Sequence, residues 1–233
     1  RDRLRSRGLG DVYKRQAYIR LAFPVVFSMA VSLVYNLADT FFVAQTQNTN
    51  IVAGVSLCAP LFTTLMALGN IFGQGGSSLI SRLLGKNETT ATRRVSAFCF
   101  WGAILTGVLM GFIMLLFCTP LLYVIGANEE TFNFARDYYT WLAIGAPALV
   151  LSFIHSNLLR SEGMSKESMI GTMGGAIVNI LLDPIFISVL GLNAGGAAMA
   201  SVIGYIFSDV YFAVVVAKKS KVLTLDIQET RIP

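Results

Sequence analysis

Charge is what this 233-residue sequence has least of: Asp, Glu, Lys and Arg together make up 13% of it. An average soluble domain carries about twice that share. The scarcity argues against a water-soluble globular domain, and the 55% hydrophobic content argues equally against disorder. Cysteine is scarce too. Cys58, Cys99 and Cys118 show no Cys-x-x-Cys spacing and form an odd count in apolar surroundings, so neither a disulfide framework nor a zinc site is indicated. Histidine occurs once, at His155. No His-Glu-x-x-His or Gly-x-Ser-x-Gly signature is present. Gly73-Gln-Gly-Gly-Ser-Ser78 follows no strand and lacks the Gly-Lys-Ser/Thr ending of a phosphate loop. The sequence therefore does not read as an enzyme, and no cofactor is expected. The net charge of +5 comes from basic residues set between apolar blocks, not in a stripe, so no nucleic-acid partner is expected.

Long apolar runs are what the sequence does have. A helix needs about 20 apolar residues to cross about 30 Å of hydrocarbon. Charges and turns divide the chain into six such spans, at about 20–44, 51–81, 95–118, 138–159, 168–190 and 196–217. Between them lie a polar turn at 45–50, a basic loop at 82–94, a partly apolar loop at 119–137, a charged loop at 160–167 and a turn at 191–195. The expected fold is all-α and polytopic. If spans alternate in direction, 17 of the Lys and Arg residues share the side of the two termini, and Arg136 alone lies opposite. Basic residues are retained inside, which places both termini in the cytoplasm and the chain in the cytoplasmic (inner) membrane. Residues 1–16 carry six basic residues and no apolar run. They read as a non-native leader, not as a signal peptide. Residues 17–221 read as the six-helix unit, and 222–233 as the start of a linker in a longer chain.

Three acids fall inside the spans: Asp39, Asp183 and Asp209. A charge at a helix centre costs about 2.5–3.5 kcal/mol to insert, so such residues serve function by default, a polar clamp between helices being the other reading. Tyr35, Asn36 and Asp39 share one helix face, and Asn179 lies one turn before Asp183. At 1.5 Å per residue, Asp39 sits ~10 Å from the outer turn, Asp183 ~12–15 Å and Ser201 ~9 Å. These groups can meet in an outer-half cluster of hard oxygen atoms suited to Na⁺ or a shared proton. Tyr139 and Asn157 are five full turns apart in the fourth span and so share a face. An interfacial Tyr and a helix-bridging Asn are the alternatives. His155 reads as a packing or lining residue. Gly69-x-x-x-Gly73, Gly107-x-x-x-Gly111 and Gly171, Gly174 and Gly175 suit close helix contact. Pro184, next to Asp183, predicts a bend that opens the cluster to a cavity.

Several stretches resemble a known family: Leu21-Ala-Phe-Pro-Val-Val, Tyr35-Asn-Leu-Ala-Asp-Thr-Phe-Phe-Val43, Gly75-Gly-Ser-Ser-Leu-Ile-Ser-Arg-Leu-Leu-Gly85, Arg160-Ser-Glu-Gly163 and Asn179-Ile-Leu-Leu-Asp-Pro184. In order over residues 17–217 they resemble the multidrug and toxic compound extrusion (MATE) transporters, in the bacterial multidrug-exporter branch. The resemblance implies one lobe of a twelve-helix, two-lobe antiporter that exports organic cations and other amphipathic drugs in exchange for H⁺ or Na⁺. By the family pattern, Asp39, Asn179, Asp183 and Ser201 form the cation-coupling site, with Na⁺ as the one metal ion to consider. Tyr35, Asn36, Tyr139 and Asn157 line the substrate cavity, with Tyr138 as the alternative to Tyr139. Asp209 matches no position of the pattern. Implied partners are small amphipathic or cationic drug-like molecules, membrane lipid and a second, C-terminal lobe. The competing reading is a flippase for lipid-linked or polysaccharide precursors from the same superfamily. Such proteins carry intramembrane Arg and Lys, whereas every basic residue here sits at a loop or span end, which favours cationic or neutral substrates.

Overall fold

A computed structural model describes residues 2–226; the side chains of residues 2–15, 17, 20 and 21 lie outside the description, as do Arg1 and residues 227–233, where most of the expected linker falls. Eight α-helices follow one another: α1 (Asp2–Ala44), α2 (Thr49–Leu57), α3 (Ala59–Gly85), α4 (Thr89–Leu116), α5 (Cys118–Val124), α6 (Phe132–Ser161), α7 (Ser165–Pro184) and α8 (Asn193–Lys219). A π-helical turn, Ile185–Val189, continues α7. No strand occurs among the described residues. Six stretches are long and apolar enough to cross a membrane: Ala22–Ala44, Thr49–Gly85, Thr89–Leu116, Phe132–Ser161, Ser165–Val189 and Asn193–Lys219. The chain is thus an all-α, multi-pass membrane protein.

Two details differ from the sequence expectation, at the second span and at the loop 119–137. The second span is not one helix but two, broken at Cys58. Pro60 stands in the first turn of α3, where its missing N–H leaves no hydrogen bond unmade. Cys58-Ala59-Pro60 carries no charge, so the break is silent in a reading keyed to charge. The loop expected at 119–137 contains the short α5. The backbone of α1 is helical from Asp2, through the residues read as a leader.

Helix ends follow local chemistry. Asn87 after α3 and Gly163 after α6 have positive φ, 60° and 86°. A left-handed residue just past a helix caps its last carbonyls, and Gly adopts it without a Cβ clash. Gly163 closes the Arg160-Ser-Glu-Gly stretch for that reason.

Helix α6 is the central post. It packs on α3, α4 and α8, while α7 packs on α8 and α1 on α7. Two-thirds of the α6 span is buried, against 6% of the α1 span. Lipid supplies little hydrophobic drive between helices, so association rests on close backbone approach. The glycines provide it. A Cβ on Gly107 would lie 2.6 Å from the Pro147 Cα, and one on Gly111 2.5 Å from the Ala143 carbonyl, so α4 sits directly on α6. On α7, a Cβ on Gly175 would lie 2.6 Å from the Gly204 carbonyl of α8. Beyond α8 the chain folds back. Glu162 accepts from the Ser220 hydroxyl and from the Lys221 N–H, and the Trp101 indole of α4 donates to the Leu225 carbonyl at 3.2 Å.

Candidate ion and substrate site

The site forms where α1, α7 and α8 meet. Asn179 on α7 is 1% exposed and Asp183, one turn on, is fully buried. The Asn179 Nδ2 donates to the Ser201 hydroxyl of α8 at 3.1 Å, and at 3.4 Å to Asp183 Oδ1. Ser201 in turn shares a hydrogen bond of 3.1 Å with the Tyr35 hydroxyl of α1. A continuous polar chain, Tyr35–Ser201–Asn179–Asp183, therefore ties the three helices together. The i, i+4 spacing of Asn179 and Asp183 makes it possible, since both side chains leave α7 on the same face.

Asp39 lies one turn beyond Tyr35 on α1, half-buried, and its charge interacts with that of Asp183. Tyr205 of α8 adjoins Tyr35. Three acceptor oxygens in this layer are buried without a hydrogen-bond partner: Asp39 Oδ1, Asp183 Oδ2 and Asn179 Oδ1. A buried acceptor left unmade costs about 1–3 kcal/mol, more for a charged group. Hard oxygens gathered in this way fit a proton or a small hard cation such as Na⁺. Among the described residues no group of three or more His, Cys, Asp or Glu side chains is placed to hold a metal ion.

Below this layer, toward the end of the lobe that carries Arg82, Lys166 and Lys218, opens a cavity of about 520 Å³. Its wall mixes apolar groups, such as Phe62, Met66 and Phe153, with uncharged amides: Asn36, Asn70, Gln74 and Asn157. Tyr35, Asn179 and Ser201 belong to that wall as well as to the polar chain. Asp39 and Asp183 do not line it.

The structure joins Asn179, Asp183 and Ser201 by hydrogen bonds, with Asp39 one turn beyond their partner Tyr35, and places Tyr35, Asn36 and Asn157 on the cavity. Tyr139 is a correction. It is fully buried and its hydroxyl donates to the Met114 carbonyl of α4, away from the cavity, at 2.5 Å. Its neighbour Tyr138 is buried too and does not line the cavity either. Pro147 stands inside α6 between Tyr139 and Asn157. A proline in a helix interior disrupts the i→i−4 ladder, so a face projected through five turns does not carry across it. At Pro184 the cluster opens to the cavity through Asn179 and Ser201 only. The π-helical turn follows Pro184, and Asp183 stays fully buried and does not itself line the cavity. A second correction concerns charge. Arg160 sits at the end of α6 as expected, yet it lines the cavity, with its guanidinium on Ser156 at 2.9 Å and Ser168 at 3.0 Å. Asp209 stands apart from the layer, 3.9 Å from the His155 imidazole.

Two further cavity residues, Asn70 and Gln74, carry a signal in the sequence. They are polar, four residues apart and inside an uncharged span, which puts both on one helix face.

The sequence pattern of the MatE family matches residues 24–185. Multidrug export protein MepA of Staphylococcus saprophyticus is 32% identical over 209 residues, 89% of this chain and 46% of that protein. MepA of Staphylococcus aureus is 30% identical over 213 residues, 91% of this chain and 47% of that protein. Among solved structures, an outward-facing multidrug resistance MATE transporter of the MOP superfamily superposes with a TM-score of 0.87 at 29% identity, over 93% of this chain and 48% of that one. A MOP-superfamily transporter of Pyrococcus furiosus superposes equally well, at 29% identity over the same shares; its binding pocket is described as reversed in polarity, suggesting a different function. The chain spans about half the length of the relatives it matches.

Proposed function

The chain belongs to the MatE family, and from that premise we propose that it forms one lobe of a secondary antiporter that exports organic cations and other amphipathic drugs across the cytoplasmic membrane in exchange for H⁺ or Na⁺. Both termini face the cytoplasm, in keeping with the 17-to-1 division of basic residues. A second six-helix lobe completes the cavity, and lipid covers the remaining apolar surface. The observation that carries the reading is the shared wall: Tyr35, Asn179 and Ser201 line the cavity and also reach the carboxylate layer.

Antiport requires that ion and drug weaken each other's binding. With Asp39 and Asp183 charged, the layer attracts an organic cation in the cavity below it. With a proton or Na⁺ held there, the attraction is lost, and the Asn179 carbonyl turns to the ion. A linkage of this kind is worth about 1–3 kcal/mol, or about 5–150-fold in affinity. The test uses the two-lobe protein containing this lobe, in vesicles under an imposed pH or Na⁺ gradient. Asp39→Asn and Asp183→Asn keep the side-chain shape and remove the charge. Ion-driven ethidium efflux is expected to stop in both with protein levels unchanged, and Asp209→Asn is expected to be milder. Wild-type efflux in both Asn variants would refute the assignment.

One observation favours a second reading. Arg160 gives the cavity a fixed positive charge, which suits an anionic headgroup such as that of a lipid-linked precursor. Arg160→Gln separates the two. Under drug export it leaves ethidium efflux intact or raises it; under precursor export it abolishes movement of an anionic lipid.

A further inference from the structure

Helices α6 and α8 bury a second pair of ionisable groups that the coupling layer does not use. His155 is 3% exposed, and its Nδ1 lies 3.9 Å from Asp209 Oδ1. The pair is walled by the rings of Phe100 from α4, 5.4 Å from the imidazole, and Phe212 from α8, 6.2 Å from it. Both imidazole nitrogens and Asp209 Oδ1 are buried with no hydrogen-bond partner among the described residues. A neutral imidazole always carries one N–H to donate, and here the carboxylate is the acceptor beside it. At 3.9 Å the contact is longer than a hydrogen bond, and a small side-chain rotation closes it.

We propose that His155 and Asp209 form a proton-binding site of their own, in the basic-end half of the lobe. With one proton between them the pair is neutral overall, either as imidazolium and carboxylate or as imidazole and carboxylic acid. With none or two it carries a net charge among apolar groups, which is costly. The site suits a proton and not Na⁺, because it offers one carboxylate and an imidazole where Na⁺ takes several oxygens. Tyr205, one turn before Asp209 on α8, shares its helix face and is a titratable neighbour of the pair. From α7, Gly171 lies under the Phe212 ring. From α4, Cys99 turns toward Gly76 of α3. On α6, Arg160 is held by Ser156 and Ser168. Helix α8 carries both Asp209 and Ser201, eight residues or about 12 Å apart, so the pair and the coupling layer act on one rigid element. The site is inferred from its own geometry and stands without the transport reading.

His155 is the sole histidine, so the full chain labelled with ¹⁵N-histidine and purified on a histidine-free tag presents a single imidazole. Its ring nitrogens are followed by NMR in lipid nanodiscs from about pH 5 to about pH 9, the range around an ordinary imidazole's titration. The expected result is a change of protonation state whose midpoint moves at least tenfold in proton affinity in Asp209→Asn, while Asp39→Asn leaves it in place. A histidine whose protonation state and titration are the same in Asp209→Asn as in wild type overturns the proposal. So does a midpoint displaced as far by Asp39→Asn, which would make the pair part of the coupling layer. Should Asp209→Asn not fold, infrared difference spectra of the carboxyl stretch in wild-type and His155→Gln chains decide the same question. A carboxyl band that responds to loss of His155 supports the site, and an unchanged band overturns it.

Discussion

Asn179→Ala isolates the centre of the polar chain. Asn179 is 1% exposed, so its bonds are not replaced by bulk water. Its amide makes a sound hydrogen bond of 3.1 Å to Ser201 and a long one of 3.4 Å to Asp183. The first is worth about 1 kcal/mol and the second about as much, since its length offsets the charged acceptor. Truncation also leaves Asp183 with no donor on either oxygen, because its Oδ2 already lacks one, at a further cost of about 1–2 kcal/mol. The expected loss of stability is therefore about 3 kcal/mol, against about 2 kcal/mol for Ser201→Ala, which gives up two neutral bonds, to Tyr35 and to Asn179. A second effect separates a binding layer from a structural clamp. An ion at about a hundred times its dissociation constant stabilises the folded chain by about 2.7 kcal/mol. Asn179→Ala removes one of three acceptor oxygens, and a tenfold loss of affinity would take away about 1.4 kcal/mol of that. Thermal unfolding of the chain in nanodiscs, with NaCl against choline chloride and across a pH series, reads both quantities. An Asn179→Ala chain as stable as wild type refutes the energetics. One that is destabilised but keeps the full ion-dependent rise in Tm refutes the ligand role.

The close helix contacts make a paired prediction. Gly107→Ala drives a Cβ against the Pro147 backbone and is expected to destabilise by about 1–3 kcal/mol, whereas Gly75→Ala meets nothing within 4 Å and is expected to be neutral or mildly stabilising, both read from unfolding in mixed micelles. Tyr139→Phe loses the bond to Met114 and about 1 kcal/mol of stability, but the two-lobe protein carrying it is expected to keep wild-type efflux, because the ring stands away from the cavity. Topology is open to single-cysteine labelling in a background lacking Cys58, Cys99 and Cys118. An impermeant reagent is expected to reach positions 47 and 193 from outside, and labelling of position 87 from that side would reverse the assigned orientation.

What the sequence made legible is what a bilayer makes expensive. Asp39 and Asp183 stood out because a carboxylate in an apolar span needs a reason, and the i, i+4 amide before Asp183 followed from helix geometry alone. The six spans were legible for the same reason. What escaped was decided at finer angular or longer sequence scale. Tyr138 and Tyr139 differ by one residue, 100° around the helix, and Pro147 stands within the turns through which their face was projected. Arg160 ends its span as expected, yet an arginine stem is long enough to bring its guanidinium back into the cavity wall. His155 and Asp209 lie 54 residues apart on separate helices, and only the packing of α6 on α8 makes them neighbours.

The layering bears on how the proposed antiport would link drug and ion. If drug and ion competed for one seat, the carboxylates would line the cavity. Here Asp39 and Asp183 sit behind a wall of Tyr35, Ser201 and Asn179. Under the proposed antiport, a substrate below the wall acts on the carboxylates through charge across it and through the side chains the two sites share. The charge term falls with salt and with the dielectric of a wet cavity. The shared-residue term does not, because an amide that turns its carbonyl to an ion is no longer arranged as it was for the cavity. Asn179 meets both requirements: its Nδ2 already holds Ser201 and Asp183, and its Oδ1 is buried without a partner. Of the residues in the layer, it is the one placed to carry linkage that high salt does not screen.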